Sequence, residues 1–436
     1  MAVTLGPLDL VVVDSLETAL HTHFGWSRFR AGQRPVVEAV LSGRYALAVL
    51  PTGVGKSLCY QLPALIRGGL VVVISPLVAL MEDQVLQLRR RGIAAACLHA
   101  GLDPVRRQQA MAALRDESLR LLYLAPERLQ GEATQRLLET HAAEGRLVAL
   151  AVDEAHCISA WGHDFRPDYR RLGLIRRLCP GVPMLALSAT AAPRVRADIL
   201  RLLDLRSPLV QVSSARRENL RYAMQRRPRD PMPQVLEALE QSRGATLIYA
   251  RTRRSVEHWA ERLQGQSVEA TPYHAGLDPA TRQTALTQFL EQERPVLVAT
   301  VAFGMGVDRG DVGLVLHLDL PSTPEGYLQE SGRAGRDGQP ARCLVLFSPG
   351  DRTSLGWAMR AAAGRRATPD ERHRLDLAQQ QLRRMEAVAE GEMCREQALL
   401  LAVGELVDPC GRCDRCSASP KRKDWSRQAT TLHLLY

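Results

Sequence analysis

Short runs of apolar residues recur along the chain, separated by segments whose apolar positions follow a helical period. Continuous apolar runs are typical of parallel strands that are buried on both faces, with helices packed against them. The pattern therefore predicts an α/β fold. Its strands are expected in YALAVL at 45, LVVVIS at 70, LLYLAP at 121, LVALAVD at 147, MLALSA at 184, ATLIYA at 245, PVLVAT at 295, LVLHLDL at 314 and ARCLVLFS at 341.

The chain also contains an internal repeat. Residues 99–110 read HAGLDPVRRQQA and residues 274–285 read HAGLDPATRQTA. Each copy follows a strand, starts a helix with Asp-Pro and leads to another apolar strand. We therefore expect two α/β lobes of related architecture, with a boundary in the stretch 207–233, which is rich in Arg and Pro. The predicted domains are 1–206, 207–350, 351–420 and a basic tail at 421–436.

Composition narrows the class of protein. A chain of 436 residues is long enough for about three domains. Its formal charge of +10 and pI near 9.4 suit an anionic partner such as nucleic acid, although a solvated Arg-rich surface would give the same values. The N-terminus lacks a basic signal-peptide region, and no apolar run reaches the ~18 residues of a membrane span. We expect a cytoplasmic protein without a membrane partner.

The segment PTGVGKS at 51–57 has the setting of a phosphate-binding loop, because a predicted strand precedes it and a helical segment follows. Leu50 stands where the strict pattern has Gly. Gly53 and Gly55 nevertheless let backbone N–H groups approach phosphate oxygens, and the Ser57 hydroxyl can ligate Mg²⁺. The segment therefore predicts a nucleotide site.

Lysine is almost absent from this chain. Lys56 is followed only by Lys421 and Lys423, and all other cationic side chains of the Lys/Arg type are arginines. A β/γ-phosphate requires a compact charge on a flexible stem, whereas a guanidinium is a wide planar fork. This chemistry explains why position 56 carries a lysine.

Two further groups carry charge suited to nucleotide hydrolysis. The strand LVALAVD ends in Asp153, and Glu154 follows it; one carboxylate can hold Mg²⁺ while the other activates water. The segment QESGRAGRDG at 329–338 carries Arg333 and Arg336, which suit the charge on a transferring γ-phosphoryl group. A strand end or a solvated turn would account for either group alone, but their combination with the loop predicts ATP hydrolysis.

Four of the nine cysteines are close together near the C-terminus: Cys394, on a predicted helix, and Cys410, Cys413 and Cys416. This spacing predicts a closed tetrahedral Zn²⁺ site with a structural role. An iron–sulfur cluster is the alternative, because similar spacing occurs in ferredoxins. The remaining cysteines are predicted to be buried thiols: Cys59, Cys97, Cys157, Cys179 and Cys343.

Several segments in order resemble the motifs of superfamily 2 helicases: PTGVGKS, DEAH at 153–156, LSATA at 187–191, FGMGVDR at 303–309 and QESGRAGRDG. FGWSRFRAGQ at 24–33, CISAWGHDFRPDY at 157–169 and the cysteine cluster narrow the resemblance to the RecQ family of DNA helicases, over roughly residues 15–420. The resemblance implies two RecA-like parallel-sheet lobes in tandem and a small helical zinc-binding subdomain. It also implies ATP-dependent movement from 3′ to 5′ on DNA, in repair or recombination.

The same resemblance assigns roles to residues of this chain. Trp26 would stack on adenine, whose edge matches the donor and acceptor of the Gln33 amide. The full set implied in nucleotide binding is Trp26, Arg30, Gln33, Thr52, Gly53, Val54, Gly55, Lys56, Ser57 and Gln329. The loop implied in DNA contact, and in coupling that contact to hydrolysis, carries Trp161, His163, Phe165 and Arg166. Ala160, Val54 and the pair Ala402–Val403 depart from the residues that the family usually has.

The resulting hypothesis is that ATP binds the first lobe and draws the second lobe closed through Arg333 and Arg336, so that hydrolysis moves single-stranded DNA. Single-stranded and partly duplex DNA are the expected partners of a monomer. An RNA helicase, or a zinc-dependent DNA-binding protein with an inactive ATPase, are the alternatives. The residues after Cys416 are too few for the winged helix and the further helical domain of many RecQ proteins, so we expect a short member or a truncated chain.

Overall fold

The computed structural model describes residues 14–162, 164–301, 309–364 and 368–417. The chain divides into two compact units, Met1–Ser214 and Ala215–Tyr436, which are called unit 1 and unit 2 below. None of the helices in these described ranges is both long and apolar enough to cross a membrane.

Unit 1 contains a parallel sheet of seven strands in the order β3-β4-β2-β5-β6-β1-β7. Its strands are β1 (Ala46–Val49), β2 (Leu70–Ile74), β3 (Ala95–Leu98), β4 (Leu121–Leu124), β5 (Leu147–Val152), β6 (Met184–Ser188) and β7 (Leu209–Val212). Its helices are α1 (Asp14–Phe24), α2 (Gln33–Leu41), α3 (Leu58–Arg67), α4 (Val78–Arg90), α5 (Pro104–Arg115), α6 (Glu132–Ala143), α7 (Gly173–Leu178) and α8 (Pro193–Leu202), with 3-10 turns at Pro126–Gln130, Ala155–Ile158 and Pro167–Arg171.

Unit 2 contains a second parallel sheet, of six strands, in the order β10-β11-β9-β12-β13-β8. Its strands are β8 (Leu220–Arg226), β9 (Ala245–Tyr249), β10 (Ala270–Tyr273), β11 (Val296–Ala299), β12 (Val312–His317) and β13 (Ala341–Phe347). Its helices are α9 (Met232–Glu240), α10 (Arg253–Gln264), α11 (Pro279–Glu291), α12 (Pro324–Ser331), α13 (Pro349–Ala363), α14 (Pro369–Glu390), α15 (Arg395–Ala402) and α16 (Asp414–Ser417).

Both sheets are covered on both faces, as their apolar runs predict. In β1, Leu47 and Val49 join one apolar cluster, whereas Ala46 and Ala48 join a second cluster on the opposite face. Successive side chains of a strand point to opposite faces, so a strand without polar residues must be buried on both. All nine predicted strands are confirmed within two residues at each end, except that β12 ends three residues before its predicted segment does.

The internal repeat corresponds to the same structural unit in both sheets. Each copy follows a strand, β3 or β10, and starts a helix, α5 or α11, whose N-cap is the Asp of the Asp-Pro pair. The His of each copy lies beside a Glu from the preceding helix: His99 Nε2 is 3.4 Å from Glu82, and His274 Nε2 is 3.1 Å from Glu257. The two lobes therefore share local contacts as well as their order of elements.

The boundary between the two units falls within the stretch 207–233, and this stretch carries secondary structure. It contains β7, which pairs with β1 in unit 1, and β8, which pairs with β13 in unit 2. The two units consequently meet in sequence after residue 214, not after 206, and residues 351–417 belong to unit 2. Both strands lie at sheet edges, where residues alternate between less and more exposed positions. Edge strands therefore lack the continuous apolar run by which we recognised the central strands.

Candidate active site and metal centre

The loop between β1 and α3 presents backbone donors at the carboxyl edge of sheet 1. Gly53 and Gly55 adopt φ angles of +87° and +82°, which residues with a side chain rarely adopt. In the described part of the chain, no group accepts a hydrogen bond from the N–H groups of Gly53, Gly55, Lys56 and Ser57. Partly buried N–H groups without acceptors at a helix start favour anionic oxygens. The loop therefore fits a phosphate group.

Leu50 stands where the strict phosphate-loop pattern has Gly, and the local structure accommodates it. Lys56 Nζ donates to the Leu50 carbonyl oxygen over 3.3 Å, which holds the ammonium at the loop. The Leu50 side chain is fully buried, and a Cβ added to Gly32 would lie 2.7 Å from its Cδ2 atom. Position 50 thus supplies a carbonyl and a packing contact, neither of which requires glycine.

Gln33 and Arg30 hold the opposite, carbonyl side of the phosphate loop. Gln33 Nε2 donates to the carbonyl oxygens of Val54 and Gly55 over 2.8 and 2.9 Å. Its Oε1 accepts from the Arg30 N–H over 2.7 Å, and the Arg30 guanidinium donates to the Gly53 carbonyl. The Gln33 amide therefore positions the loop in this structure, and its contact with adenine stays a prediction.

Trp26 presents an aromatic surface near the start of this unit. Its side chain is 40% exposed, and its ring stacks on Phe24 with centroids 5.5 Å apart and planes 23° from parallel. The guanidinium carbon of Arg91 lies 5.8 Å from the Trp26 ring centroid. An exposed and laterally supported indole suits stacking on a base, so the predicted adenine contact is compatible with its placement.

Asp153 and Glu154 follow β5 directly. Burial, reinforced by the Glu154 carboxylate and opposed by Lys56, raises the pKa of Asp153 to about 7. Glu154 has a φ angle of +46°, a left-handed conformation that costs a non-Gly residue of order 1 kcal/mol or more. The Tyr169 hydroxyl donates to the Asp153 carbonyl over 2.9 Å and fixes this turn. Buried adjacent carboxylates with a lysine nearby fit a divalent cation, whose charge favours their ionised form.

A row of polar contacts connects Glu154 with the LSATA segment at the end of β6. The Glu154 carboxylate lies 3.3 Å from His156 Nδ1, which is 3.1 Å from Ser188 Oγ. The Ser188 hydroxyl donates to the Thr190 carbonyl over 2.7 Å. His156 and Ser188 are buried, so this row fixes the orientation of the turn that carries Glu154.

The predicted DNA loop is anchored on α8. Ser159 Oγ donates to Asp198 Oδ2 over 2.7 Å and accepts from the Trp161 N–H over 3.1 Å. The guanidinium carbon of Arg194 lies 5.0 Å from the Trp161 ring centroid. Because α8 begins just after LSATA, one helix contacts the loop while the segment before it contacts His156. His163 lies outside the described residues.

The other described members of this loop make contacts within unit 1. The guanidinium carbon of Arg170 lies 5.0 Å from the Phe165 ring centroid. Arg166 pairs with Asp164 at 3.0 Å and donates to the Pro76 carbonyl over 2.8 Å, which ties the loop to the segment after β2. Arg166 therefore has an evident role in shaping the loop, and DNA contact by Phe165 and Arg166 stays a prediction.

In unit 2, the segment with the two predicted arginines begins at the end of α12. Arg333 is only 7% exposed, and its guanidinium opposes the rise in the pKa of Tyr249, which burial brings to about 12. Arg336 and Gln329 are half-buried. Burial therefore distinguishes the two arginines: Arg333 packs inside unit 2, and Arg336 is the one with more exposed surface.

Two residues that sequence reasoning missed hold the turn before Arg336. Arg217 Nη2 donates to the Gly335 carbonyl over 2.6 Å, and Asn219 Nδ2 donates to the same oxygen over 2.8 Å. Gly335 requires its small size here, because an added Cβ would lie 2.4 Å from Asn219 Nδ2. More than a hundred residues separate these partners along the chain, and no local pattern points to their contact.

The four clustered cysteines come together in unit 2. Their sulfur atoms all lie within 4.8 Å of one another, and those of Cys394 and Cys413 are 3.9 Å apart. A Zn²⁺ ion with Zn–S bonds of ~2.3 Å requires sulfurs ~3.8 Å apart, so this arrangement fits the ion. Cys394 is the N-cap of α15, one residue before the helix on which we placed it. Hydrogen bonding by the thiols of Cys394 and Cys410 lowers the pKa of Cys413.

Buried ion pairs join the cysteine cluster to its surroundings. Arg395, only 1% exposed, pairs with Asp414 at 3.0 Å. Arg412 pairs with the buried Glu396 at 2.5 Å and donates to the Leu220 carbonyl over 3.0 Å. These contacts tie the cluster to the first strand of sheet 2, and a buried pair of this kind is strongly destabilising when only one partner is removed.

Three family models match consecutive parts of the chain. Residues 30–199 match the DEAD/DEAH box helicase model. Residues 230–338 match the helicase conserved C-terminal domain, and residues 350–417 match the RecQ zinc-binding model. The last match covers the four cysteines.

Curated relatives match along most of the chain. It is 39% identical to the ATP-dependent DNA helicase RecQ of Haemophilus influenzae over 93% of this chain and 64% of that protein. It is 36% identical to the ATP-dependent DNA helicase RecQ of Bacillus subtilis over 95% of this chain and 68% of that protein. The chain thus spans about two thirds of the length of these relatives.

A solved structure supports the fold. The Mycobacterium smegmatis helicase Lhr bound to ssDNA and AMP-PNP matches with a TM-score of 0.61 and 21% identity, over 79% of this chain and 49% of that one. At this identity the likeness concerns the fold alone.

The arrangement of the four cysteines predicts which metal they bind, and this prediction can be tested. We expect elemental analysis of the purified protein to give about one zinc per chain, as a single four-thiolate site requires. Cys413→Ser should lose the zinc and lower the soluble yield, because binding of a structural metal contributes to folding. Cys343 is a buried cysteine of unit 2 outside the cluster, and the Cys343→Ala variant should keep the zinc. Iron with visible charge-transfer absorption would instead identify an iron–sulfur cluster.

Proposed function

The chain belongs to the RecQ family of helicases, and from this premise we propose that it is an ATP-dependent DNA helicase that moves from 3′ to 5′ along single-stranded DNA. The family assignment rests on three consecutive family matches and on relatives that match throughout the chain. We further propose a role in DNA repair or recombination, with single-stranded and partly duplex DNA as partners of a cytoplasmic monomer.

One observation carries the catalytic part of the proposal. In the described part of unit 1, the phosphate loop has N–H groups without acceptors and carries Lys56, the only lysine of the described residues. The strained turn after β5 adds the two adjacent carboxylates of Asp153 and Glu154. Donors that are already oriented bind a phosphate chain with little reorganisation, and they favour the transition state in which its charge shifts. A protein with an inactive ATPase has no need for this combination.

The residues can be assigned to steps of hydrolysis. The loop donors and Lys56 would bind the β- and γ-phosphates. A Mg²⁺ ion held by Ser57 and Asp153 would neutralise phosphate charge. Glu154 would orient the attacking water and accept its proton, and its strained backbone, fixed through His156, keeps the carboxylate in place. Arg336 would stabilise the charge that develops on the γ-phosphoryl group.

Contacts of the aromatic loop suggest how DNA could influence hydrolysis. Trp161 and Ser159 contact α8, and the LSATA segment before α8 contacts His156 beside Glu154. A base that stacks on this loop would act on α8, and through the preceding segment and His156 on the catalytic carboxylate. Stacking tolerates any base and contributes ~1–3 kcal/mol per base, which suits a motor that reads no sequence.

The direct test of the proposed function compares ATP turnover with single-stranded DNA, duplex DNA and RNA at matched ionic strength. We expect the largest stimulation with single-stranded DNA. Equal or greater stimulation by RNA would favour the RNA-helicase alternative. Absence of turnover with all three, in protein that binds ATP, would favour a DNA-binding protein with an inactive site.

Substitutions of Lys56 and Glu154 should have different effects on ATP binding and ATP turnover. Lys56→Ala removes a contact with the phosphates, so both nucleotide binding and turnover should fall. Glu154→Gln keeps the size of the side chain and removes the base, so ATP should still bind while turnover falls by ~100-fold or more. Binding of a fluorescent ATP analogue and phosphate release measure the two effects. Wild-type turnover in Glu154→Gln would remove this residue from its proposed role.

Arg336 should affect the rate of ATP hydrolysis and not the affinity for ATP. Arg336→Ala is expected to lower kcat by ~10³-fold with ATP affinity nearly unchanged, because its charge matters most in the transition state. Arg294→Ala, at an exposed arginine of the same unit, serves as the matched control and should leave both parameters unchanged. A defect of Arg336→Ala confined to KM would show ground-state binding instead.

The aromatic loop should control stimulation. Trp161→Ala is expected to reduce the DNA-stimulated ATPase rate much more than the basal rate, because the indole is proposed to sense DNA and performs no chemistry. Asp198→Asn, which weakens the loop anchor, should act in the same direction. Trp357→Ala, at an exposed tryptophan of α13, should have no effect. Equal loss of basal and stimulated rates in Trp161→Ala would indicate a packing role.

A further inference from the structure

A cleft in unit 1 lies apart from the phosphate loop and from the acidic turn. It opens between α5 on one side and the 3-10 turn Pro126–Gln130 with α6 on the other. Its volume is about 490 Å³, within the range of ordinary ligand pockets. Leu98 of β3 and Leu122 of β4, both buried, lie at its floor.

The rim of this cleft carries charge of one sign. Arg107 and Arg115 of α5 and Arg128 of the 3-10 turn line it, and none of its lining residues is acidic. Arg166, by contrast, is paired with Asp164. Three guanidinium groups around one concavity raise the local positive potential and attract anions.

These guanidinium groups lack acceptors. No described residue accepts a hydrogen bond from the side chain of Arg107, Arg115 or Arg128, and none forms an ion pair with them. For Arg128 this is costly, because its Nε atom is buried from solvent. A buried donor without a partner loses its hydration and gains nothing in return. A ligand with anionic oxygens would restore that hydrogen bond.

The apolar floor of the cleft indicates that the ligand also carries apolar groups. Leu98, Leu122 and the partly buried Met111 and Leu137 form an apolar surface beneath the arginines. A phosphodiester gains nothing from such a floor, and no aromatic side chain lines the cleft on which a base could stack. Carboxylates beside apolar side chains match both parts of the surface, since arginine forks bind carboxylates in a bidentate manner.

We propose that this cleft binds a short acidic peptide segment of a partner protein, whose carboxylates pair with Arg107, Arg115 and Arg128 while its apolar side chains pack on Leu98 and Leu122. Arginine clusters are a recurring means of recognising acidic motifs. The proposal does not depend on the helicase activity, because none of these residues belongs to the nucleotide site or to the aromatic loop. It assigns unit 1 a docking function in addition to its catalytic one.

The test uses the full chain and fluorescein-labelled hexapeptides made of aspartate and leucine in varied order, followed by fluorescence anisotropy. At least one peptide should bind the wild-type protein. Replacing its aspartates with asparagine should weaken binding by about tenfold or more, the loss expected for one charge-assisted hydrogen bond. Replacing its leucines with serine should weaken binding as well, because apolar burial on the floor is lost. Salt should weaken binding as well.

Variants of α5 localise the site. Arg107→Ala and Arg115→Ala together should weaken peptide binding by at least about tenfold, whereas the basal ATPase rate should not change. Arg106→Ala removes an exposed arginine of the same helix that does not line the cleft, and peptide binding should be unchanged. Met111→Gln should weaken binding through the floor without altering the charge.

Three results would overturn the proposal. The first is that no peptide of the panel binds the wild-type protein. The second is that the double variant and Arg106→Ala bind the peptide equally well, because binding would then reflect the net charge of the protein. The third is that the double variant loses affinity for single-stranded DNA and keeps its affinity for the peptide, because the cleft would then belong to the DNA path.

Discussion

The backbone of the loop between β1 and α3 imposes the constraint on which the site in unit 1 depends. No described residue accepts a hydrogen bond from the N–H groups of residues 53 and 55–57, and this is tolerable only if the carbonyl side of the loop is held firmly. Gln33 and Arg30 hold that side through three carbonyl oxygens. Gly53 and Gly55 permit the necessary backbone conformation, and the buried Leu50 anchors the loop to the sheet. The free energy spent on orienting these donors is recovered only when an anion binds.

In unit 1, the acidic turn after β5 and the LSATA segment at the end of β6 are in contact through their side chains. Glu154 contacts His156, and His156 contacts Ser188. The helix after that segment holds Ser159 through Asp198. Strands β5 and β6 are hydrogen-bonded neighbours, so their carboxyl ends lie side by side. The parallel sheet thereby places an acidic turn next to a polar segment, and the helix after that segment contacts the aromatic loop.

Unit 2 relies on long-range contacts of arginine. Arg217 holds the turn before Arg336, while Arg395 and Arg412 tie the cysteine cluster to its sheet. A guanidinium carries five N–H donors, so each of these arginines can fix several segments at once. The cysteine cluster, by bringing Cys394 and Cys410–Cys416 together, holds in place the residues with which these arginines pair. Metal and ion pairs thus stabilise the same corner of the unit.

The sequence alone determined the central strands, the repeat, the phosphate loop, the acidic pair and the cysteine set, because each depends on residues that are close together along the chain or on an uninterrupted apolar run. It did not reveal β7 and β8, whose edge positions bury one face only. Nor did it show that Arg333 is buried while Arg336 is more exposed, or that Gln33 bonds to the loop. The Ser159–Asp198 contact and the arginine-lined cleft were equally invisible. These features arise when residues far apart in the chain become neighbours, and only tertiary packing decides which donors find acceptors and which remain for a ligand.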